Sequence, residues 1–311
     1  MHNKISDHQF HVWLLTAIVP AILSVAGRSG WLTILITSVV SSIVCFFALS
    51  FSQEDLPRWL RVIELAWMTA FLAGVARQST TCWEDANGFP AIPIILLLLA
   101  AFTASRGEYR SVRIGATMAW LVLPILGVVF LVGTADVQWS WLRQELTIPD
   151  GSTTSLLLIP CVGIFVPGCS RKSLKWIPIL SGLIAVAASA LMDGTMGHVV
   201  AKLANNSFYE YCKGVNLFGV AERFEALVAC ALTVGWFVLY TVILSAVSYL
   251  SEDFSNSAAK CSVWCVSAAS IGLMYILPNT DNWLTVGTLI FWGLLPAITQ
   301  GLGRVKKLEK K

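Results

Sequence analysis

Charge is what this sequence has least of. Only 13% of its 311 residues are Asp, Glu, Lys or Arg, while 56% are hydrophobic and the mean hydropathy is +0.73. Soluble domains carry about 25% charged residues. With half that share, a chain this long lacks the polar surface to cover a soluble globule. The sequence also lacks HExxH, GxSxG, GxxxxGK[ST] and GxGxxG, so none of the usual metalloprotease, hydrolase or nucleotide-binding signatures points to an enzyme. Histidines are few: His2, His8, His11 and His198. His8 and His11 share a helix face, but no third ligand accompanies them and there is no CxxC, so no metal or other cofactor is expected. The eight cysteines sit mostly inside apolar runs and read as small packing residues.

Long apolar runs are abundant. About 20 apolar residues at 1.5 Å each cross a hydrocarbon core of roughly 30 Å, and run length predicts ten such spans in an all-α polytopic membrane protein. They are about Phe10–Ala26, Trp31–Phe51, Trp59–Gln78, Phe89–Ser105, Ile114–Thr134, Thr153–Gly168, Trp176–Met192, Ala226–Leu250, Cys261–Leu277 and Trp283–Gly301. The connecting loops are too short for a soluble module, so residues 1–311 read as one transmembrane domain. The first apolar run leads straight into further spans and reads as a helix that stays in the membrane.

Charge placement agrees with ten spans. Both termini then lie on one side. If that side is the cytoplasm, it holds fifteen of the 21 Lys and Arg, including Arg106, Arg110 and Arg113, Arg171, Lys172 and Lys175, and the tail from Arg304 to Lys311. Such an excess of basic residues marks the cytoplasmic side. Trp31, Trp59, Trp83, Trp139, Trp141, Trp176 and Trp283 fall near span ends, where aromatic side chains anchor at the interface. The basic tail is expected beside anionic headgroups.

Interrupted helices carry the candidate chemistry. In transporters built from inverted repeats, substrate binds at the midplane where paired helices unwind and free backbone polar groups. Ten spans divide into five plus five, and a five-span unit inverts its second copy. The first helix of each half is expected to be broken: helix one at Pro20 in TAIVPAILS, helix six at Pro160, Gly163 and Pro167 in LLIPCVGIFVPG. Proline kinks are also common in membrane helices generally, and Pro124 in helix five is another. The candidate substrate-binding residues are Thr16, Ala17 and Pro20 on helix one, Pro160 and Gly163 on helix six, and the intramembrane Glu64. Glu64 has a second reading, an interfacial pair with Arg61 three residues earlier. Asp193, followed by Gly194, reads as a helix-end turn.

Residues 206–225 pose a separate question, because a short polar, amphipathic stretch feeds directly into the 25 uncharged residues Ala226–Leu250. It reads as an interfacial segment held near the headgroups by Phe208, Tyr209, Tyr211 and Phe218. Glu222, Arg223 and Glu225 form the polar start of helix eight, where its dipole favours acidic groups.

Several patches, in order, resemble one family. KISDHQF, with Ile5, Ser6 and Gln9, looks like its opening Ile-Ser-x-x-Gln. AGRSGWL, ending in Trp31 and Leu32, resembles its Ala-Gly…Trp-Leu entry to helix two. FPAIPIILLLLAAFTASRGEYRSVR is similar to its proline-led fourth helix, and ADVQWSWL to the loop after helix five. NSFYEY through AERFEAL, with Glu222, Arg223 and Glu225, resembles its Pro-Phe-Tyr…Arg-Leu-Glu-Ala-Leu segment. The family is the GerAB-type B subunit of spore germinant receptors, within the amino acid–polyamine–cation (APC) transporter superfamily. The resemblance implies a LeuT/APC-like fold with a 5+5 inverted repeat and recognition, with or without transport, of an amino acid or similar small nutrient. It further implies A-type and C-type receptor subunits as partners in the inner spore membrane. Besides these and the lipid bilayer no partner is implied, and nucleic acid is not one. The sequence departs from the family where substrate should bind. Ala17 and Ile18 stand where a helix-one glycine is usual, the first helix is short, and SLLLIP replaces a Phe-x-Gly-x-Glu-like pattern in helix six. Two alternatives stay open: a degenerate, non-transporting scaffold of the same family, and a vegetative APC-type amino acid permease.

Overall fold

The computed structural model describes residues 6–50, 57–81, 91–142, 151–165, 174–204, 206–214, 224–252, 254–277, 282–295 and 298. Among these residues there is no strand. The helices are α1 (Asp7–Val25), α2 (Trp31–Ala48), α3 (Arg58–Thr81), α4 (Ala91–Ser105), α5 (Glu108–Gly133), α6 (Gly151–Leu157), α7 (Trp176–Met196), α8 (His198–Leu203), α9 (Ser207–Gly214), α10 (Phe224–Glu252), α11 (Asn256–Ile276) and α12 (Asn282–Thr288). A 3-10 segment, Ile159–Phe165, follows α6, and a π-helical turn, Leu289–Leu294, follows α12. Seven described helices are long and apolar enough to cross a membrane, and two more apolar helices are shorter, Ala91–Ser105 and Thr153–Gly163. The chain is an all-α membrane protein.

α1 lies at the centre, packed on α5, α6, α7, α9 and α10. Its start is set by Ser6, whose Oγ accepts the Gln9 N–H at 3.2 Å, with Asp7 in the first turn. Phe10, Trp13, Leu14, Ala17, Ile18 and Ile22 are buried. The outer helices turn their apolar faces outward instead. On α2, Ile36, Val39, Val40, Ile43 and Phe47 are exposed, and on α4, Ile95, Leu98, Leu99 and Phe102. Outward apolar faces on helices of this length suit lipid rather than water.

Named contacts fix the helix directions. The sixth span, α6 with its 3-10 segment, runs antiparallel to α1, with Thr153 Oγ1 donating to the Val25 carbonyl at 3.3 Å while Gly163 approaches Leu14. α2 and α7 are antiparallel, with Trp31 against Asp193 and Ser38 against Gly182. α3 and α11 are parallel: Ser270 Oγ donates to the Thr69 carbonyl at 3.0 Å, and Arg77 Nη1 to the Met274 carbonyl at 3.1 Å. Glycines give the closest approaches. At Gly235 in α10, where Pro20 packs, even a methyl group would clash, and the same holds at Gly115 under Trp13 and Gly287 under Trp67.

The structure alters several expectations. α1 is not broken at Pro20: the helix is continuous to Val25 and its 3-10 turn comes only at Ala26–Arg28. Pro20 seats against Gly235, where the missing side chain leaves room for its ring, and the helix runs on although proline removes one hydrogen bond from the preceding turn. α5 likewise runs through Pro124. Helix six is interrupted where expected, changing from α to 3-10 around Leu158. α7 continues past Gly194 and stops at Gly197, whose φ of +80° suits a residue without Cβ. Phe208 and Tyr211 are buried inside the protein, not laid on the interface, because α9 tucks against α1, α7 and α10. Phe218, Glu222, Arg223, Trp83, Pro90, Pro167 and the basic tail lie outside the described residues.

Candidate substrate-binding site

α1 and the sixth span run antiparallel and touch at Val25–Thr153 and at Leu14–Gly163. In chain position Thr16, Ala17 and Pro20 fall between Leu14 and Val25 on α1, and Pro160 between Thr153 and Gly163 on the sixth span, while Pro20 itself packs against Gly235 of α10. All are buried. The Thr16 hydroxyl donates to the Val12 carbonyl at 2.7 Å, and Ser24 Oγ donates to the Pro20 carbonyl at 2.9 Å. Pro20 has no N–H for the Thr16 carbonyl, and a 3-10 segment bonds its carbonyls less well than an α-helix does. Backbone acceptors are therefore freed or weakly bonded in the buried interior at two places, Thr16 on α1 and around Pro160 on the sixth span. That is a setting for a small ligand with an ammonium or hydroxyl donor.

α1 shows a different face to two neighbouring grooves. His11 and Leu15 line one of about 610 Å³ with Trp176, Ile177 and Leu180 of α7. Val19 and Leu23 line another of about 430 Å³ with Leu123, Leu126 and Phe130 of α5. Leu183 borders both. These grooves are apolar, and none of the candidate substrate-binding residues lines them.

Glu64 stands apart. It belongs to α3, which packs on α4, α10, α11 and α12. It is fully buried, and neither carboxylate oxygen has a hydrogen-bond partner. The expected pair with Arg61 does not form. Close to it in sequence, Trp67 stacks on Phe291 at 4.9 Å and meets Trp283 at 6.1 Å, and Phe71 meets Trp292 at 4.6 Å. Among the described residues no three His, Cys, Asp or Glu side chains gather in a metal-binding group.

Among the described residues, Gln9, Trp31 and Glu225 make contacts that hold the fold. Gln9 is part of the α1 cap. Trp31 donates its backbone N–H to Asp193 Oδ2 at 3.1 Å and its indole N–H to the Leu142 carbonyl at 2.9 Å. Glu225 Oε1 accepts the Tyr209 hydroxyl at 2.5 Å. Burial, and then the hydrogen bond to Glu225, push the Tyr209 phenol up to about 12. Burial also raises the Tyr211 phenol and the Cys212 thiol. Sequence reasoning missed the polar cluster at Asp193. Its carboxylate takes the Trp31 N–H, lies 3.4 Å from Ser189 Oγ, and meets His198 Nδ1 at 3.2 Å. A buried Asp one turn before a helix stop, beside a short loop opening another helix, was the available signal.

No protein-family model matches this sequence, and no curated protein matches it significantly. The functional reading therefore rests on the residues and their arrangement.

Proposed function

We propose that the chain is a permease-like membrane subunit of the GerAB type, which recognises an amino acid or similar small nutrient and takes part in spore germination. One observation supports the reading: α1 and the interrupted sixth span run antiparallel, and Thr16, Ala17, Pro20, Pro160 and Gly163 on them are all buried. The packing also supports a 5+5 inverted repeat of ten spans. Exchanging the first five spans for the second five turns α1 on α5 into α6 on α12, and α3 on α11 into α10 on α4. It likewise turns α1 on α7 into α6 on α2, while α2 on α7 and α4 on α11 map onto themselves. The ordered sequence patches favour the spore family over a vegetative amino acid permease. Both termini are assigned to the cytoplasm, and A-type and C-type subunits are the expected partners in the inner spore membrane.

A second reading, a scaffold that keeps the fold without a ligand, is favoured by the continuous α1 and by the tight burial of Thr16 and Ala17. Ligand-dependent stabilisation separates the two. A ligand at 100 times its Kd adds about 2.7 kcal/mol to the folded state. Screening purified protein against amino acids, sugars and nucleosides should give a shift with at least one class. No shift with any of them, together with a germination defect on gene deletion, favours the scaffold. Normal germination after deletion removes the spore reading altogether.

A further inference from the structure

We propose that Cys45 and Cys161 form an oxidation site, a reversible disulfide that fastens α2 to the 3-10 segment of the sixth span. Cys45 lies in the last turn of α2, and Cys161 directly follows Pro160. Both side chains are fully buried, and their sulfurs are 3.2 Å apart. Cys161 directs its S–H at Cys45 Sγ, and Cys45 Sγ lies 3.9 Å from the Leu157 carbonyl. A disulfide sulfur pair sits at about 2.05 Å, so closure needs a movement of about 1 Å. The 3-10 segment, with its poorer hydrogen bonding, is the element able to make it. A second close pair among the described residues, Cys261 and Cys265 at 3.8 Å, lies on a single helix, so a bond there would join no separate elements.

Burial selects the oxidant, which must be small and uncharged; hydrogen peroxide fits. One sulfur attacks a peroxide oxygen, the O–O bond breaks, and a sulfenic acid and one water form. The second thiol displaces the sulfenic oxygen as a second water, and the S–S bond forms. The two sulfurs together give up two electrons to the peroxide, and both thiol protons end in water. The bridge holds Pro160 and Gly163 against α2. On the reading of these residues as a ligand site, oxidation restricts that site; the bridge itself does not depend on that reading.

The test uses a chain that keeps Cys45 and Cys161 and has its other six cysteines replaced by Ser. In membrane vesicles it is treated with hydrogen peroxide, unfolded in detergent, and labelled with a polyethylene-glycol maleimide that retards migration. Two labels are expected before treatment, none after, and two again after dithiothreitol. Cys45→Ala and Cys161→Ala in that background should each keep their single label at the same dose. Two labels persisting after peroxide, or a loss that dithiothreitol does not reverse, overturns the proposal. If the six-fold variant does not fold, mass spectrometry of the peroxide-treated full chain replaces it. A linked peptide joining Cys45 to Cys161 is then expected, and its absence overturns the proposal. A bridge that forms without changing ligand-dependent stability leaves the oxidation site standing and argues only against the ligand reading.

Discussion

The Asp193 carboxylate accepts the backbone N–H of Trp31, the first residue of α2, at 3.1 Å across 162 residues of chain. It thereby caps α2, which has no side-chain cap of its own at Gly30. The same carboxylate meets His198 Nδ1 and Ser189 Oγ, so one buried group ties the end of α7 to the starts of α2 and α8. Asp193→Ala should cost about 0.5–2 kcal/mol as a lost cap, and Asp193→Asn, which keeps one acceptor, should cost less. Chemical denaturation in detergent micelles measures both, and equal stability of the two variants would show that the cap is not the reason Asp193 is buried.

Gly235 gives Pro20 its seat. Gly235→Leu should push α10 off α1 and destabilise the protein by about 1–3 kcal/mol as an overpacked contact. Gly127→Ala in α5, where an added methyl meets nothing within 4 Å, serves as the control and should be neutral or slightly stabilising. Thermal unfolding of the two side by side decides it.

Glu64 carries two buried oxygens with no partner, a state that costs about 1–3 kcal/mol. Glu64→Leu should therefore raise stability by an amount of that order. A loss of stability instead would mean that the carboxylate is held by an interaction the packing does not reveal.

Tyr209 should make stability fall at high pH. Its folded value near 12 lies above the ordinary 10.0 of a tyrosine, so the neutral phenol is favoured by folding. That contribution is fully present below pH 10 and is lost as pH rises through the window up to 12. Tyr209→Phe lacks both the hydrogen bond and this dependence, so its denaturation midpoint should change less than the wild type's across that window. Parallel curves for the two proteins would remove the effect.

Among site variants, Ala17→Val and Gly163→Ala should weaken ligand-dependent stabilisation more than Glu64→Gln does. The first two add volume at buried positions of α1 and the sixth span, and a Cβ added at Gly163 would come within 3.3 Å of Leu174. Equal responses from all three would sink the idea that the paired helices hold the ligand.

Much of this could be read from the sequence because lipid imposes its demands locally. A run such as Ala226–Leu250 must be a helix wherever it packs, since only a helix satisfies its backbone in hydrocarbon. The interruption at Pro160 was legible from proline's local effect on a helix, whereas the polar stretch before α10 reads as lying on the interface and is instead packed inside, at Phe208 and Tyr211. Tertiary structure alone decided that Pro20 leaves α1 whole, because a glycine more than two hundred residues away makes room for it. It also put Phe208 and Tyr211 inside the protein, left Glu64 without Arg61, joined Asp193 to Trp31, and brought Cys45 to Cys161. Composition and run length determined that the chain is an all-α membrane protein. Which polar groups meet inside it depended on contacts between distant segments, and no local pattern encodes those.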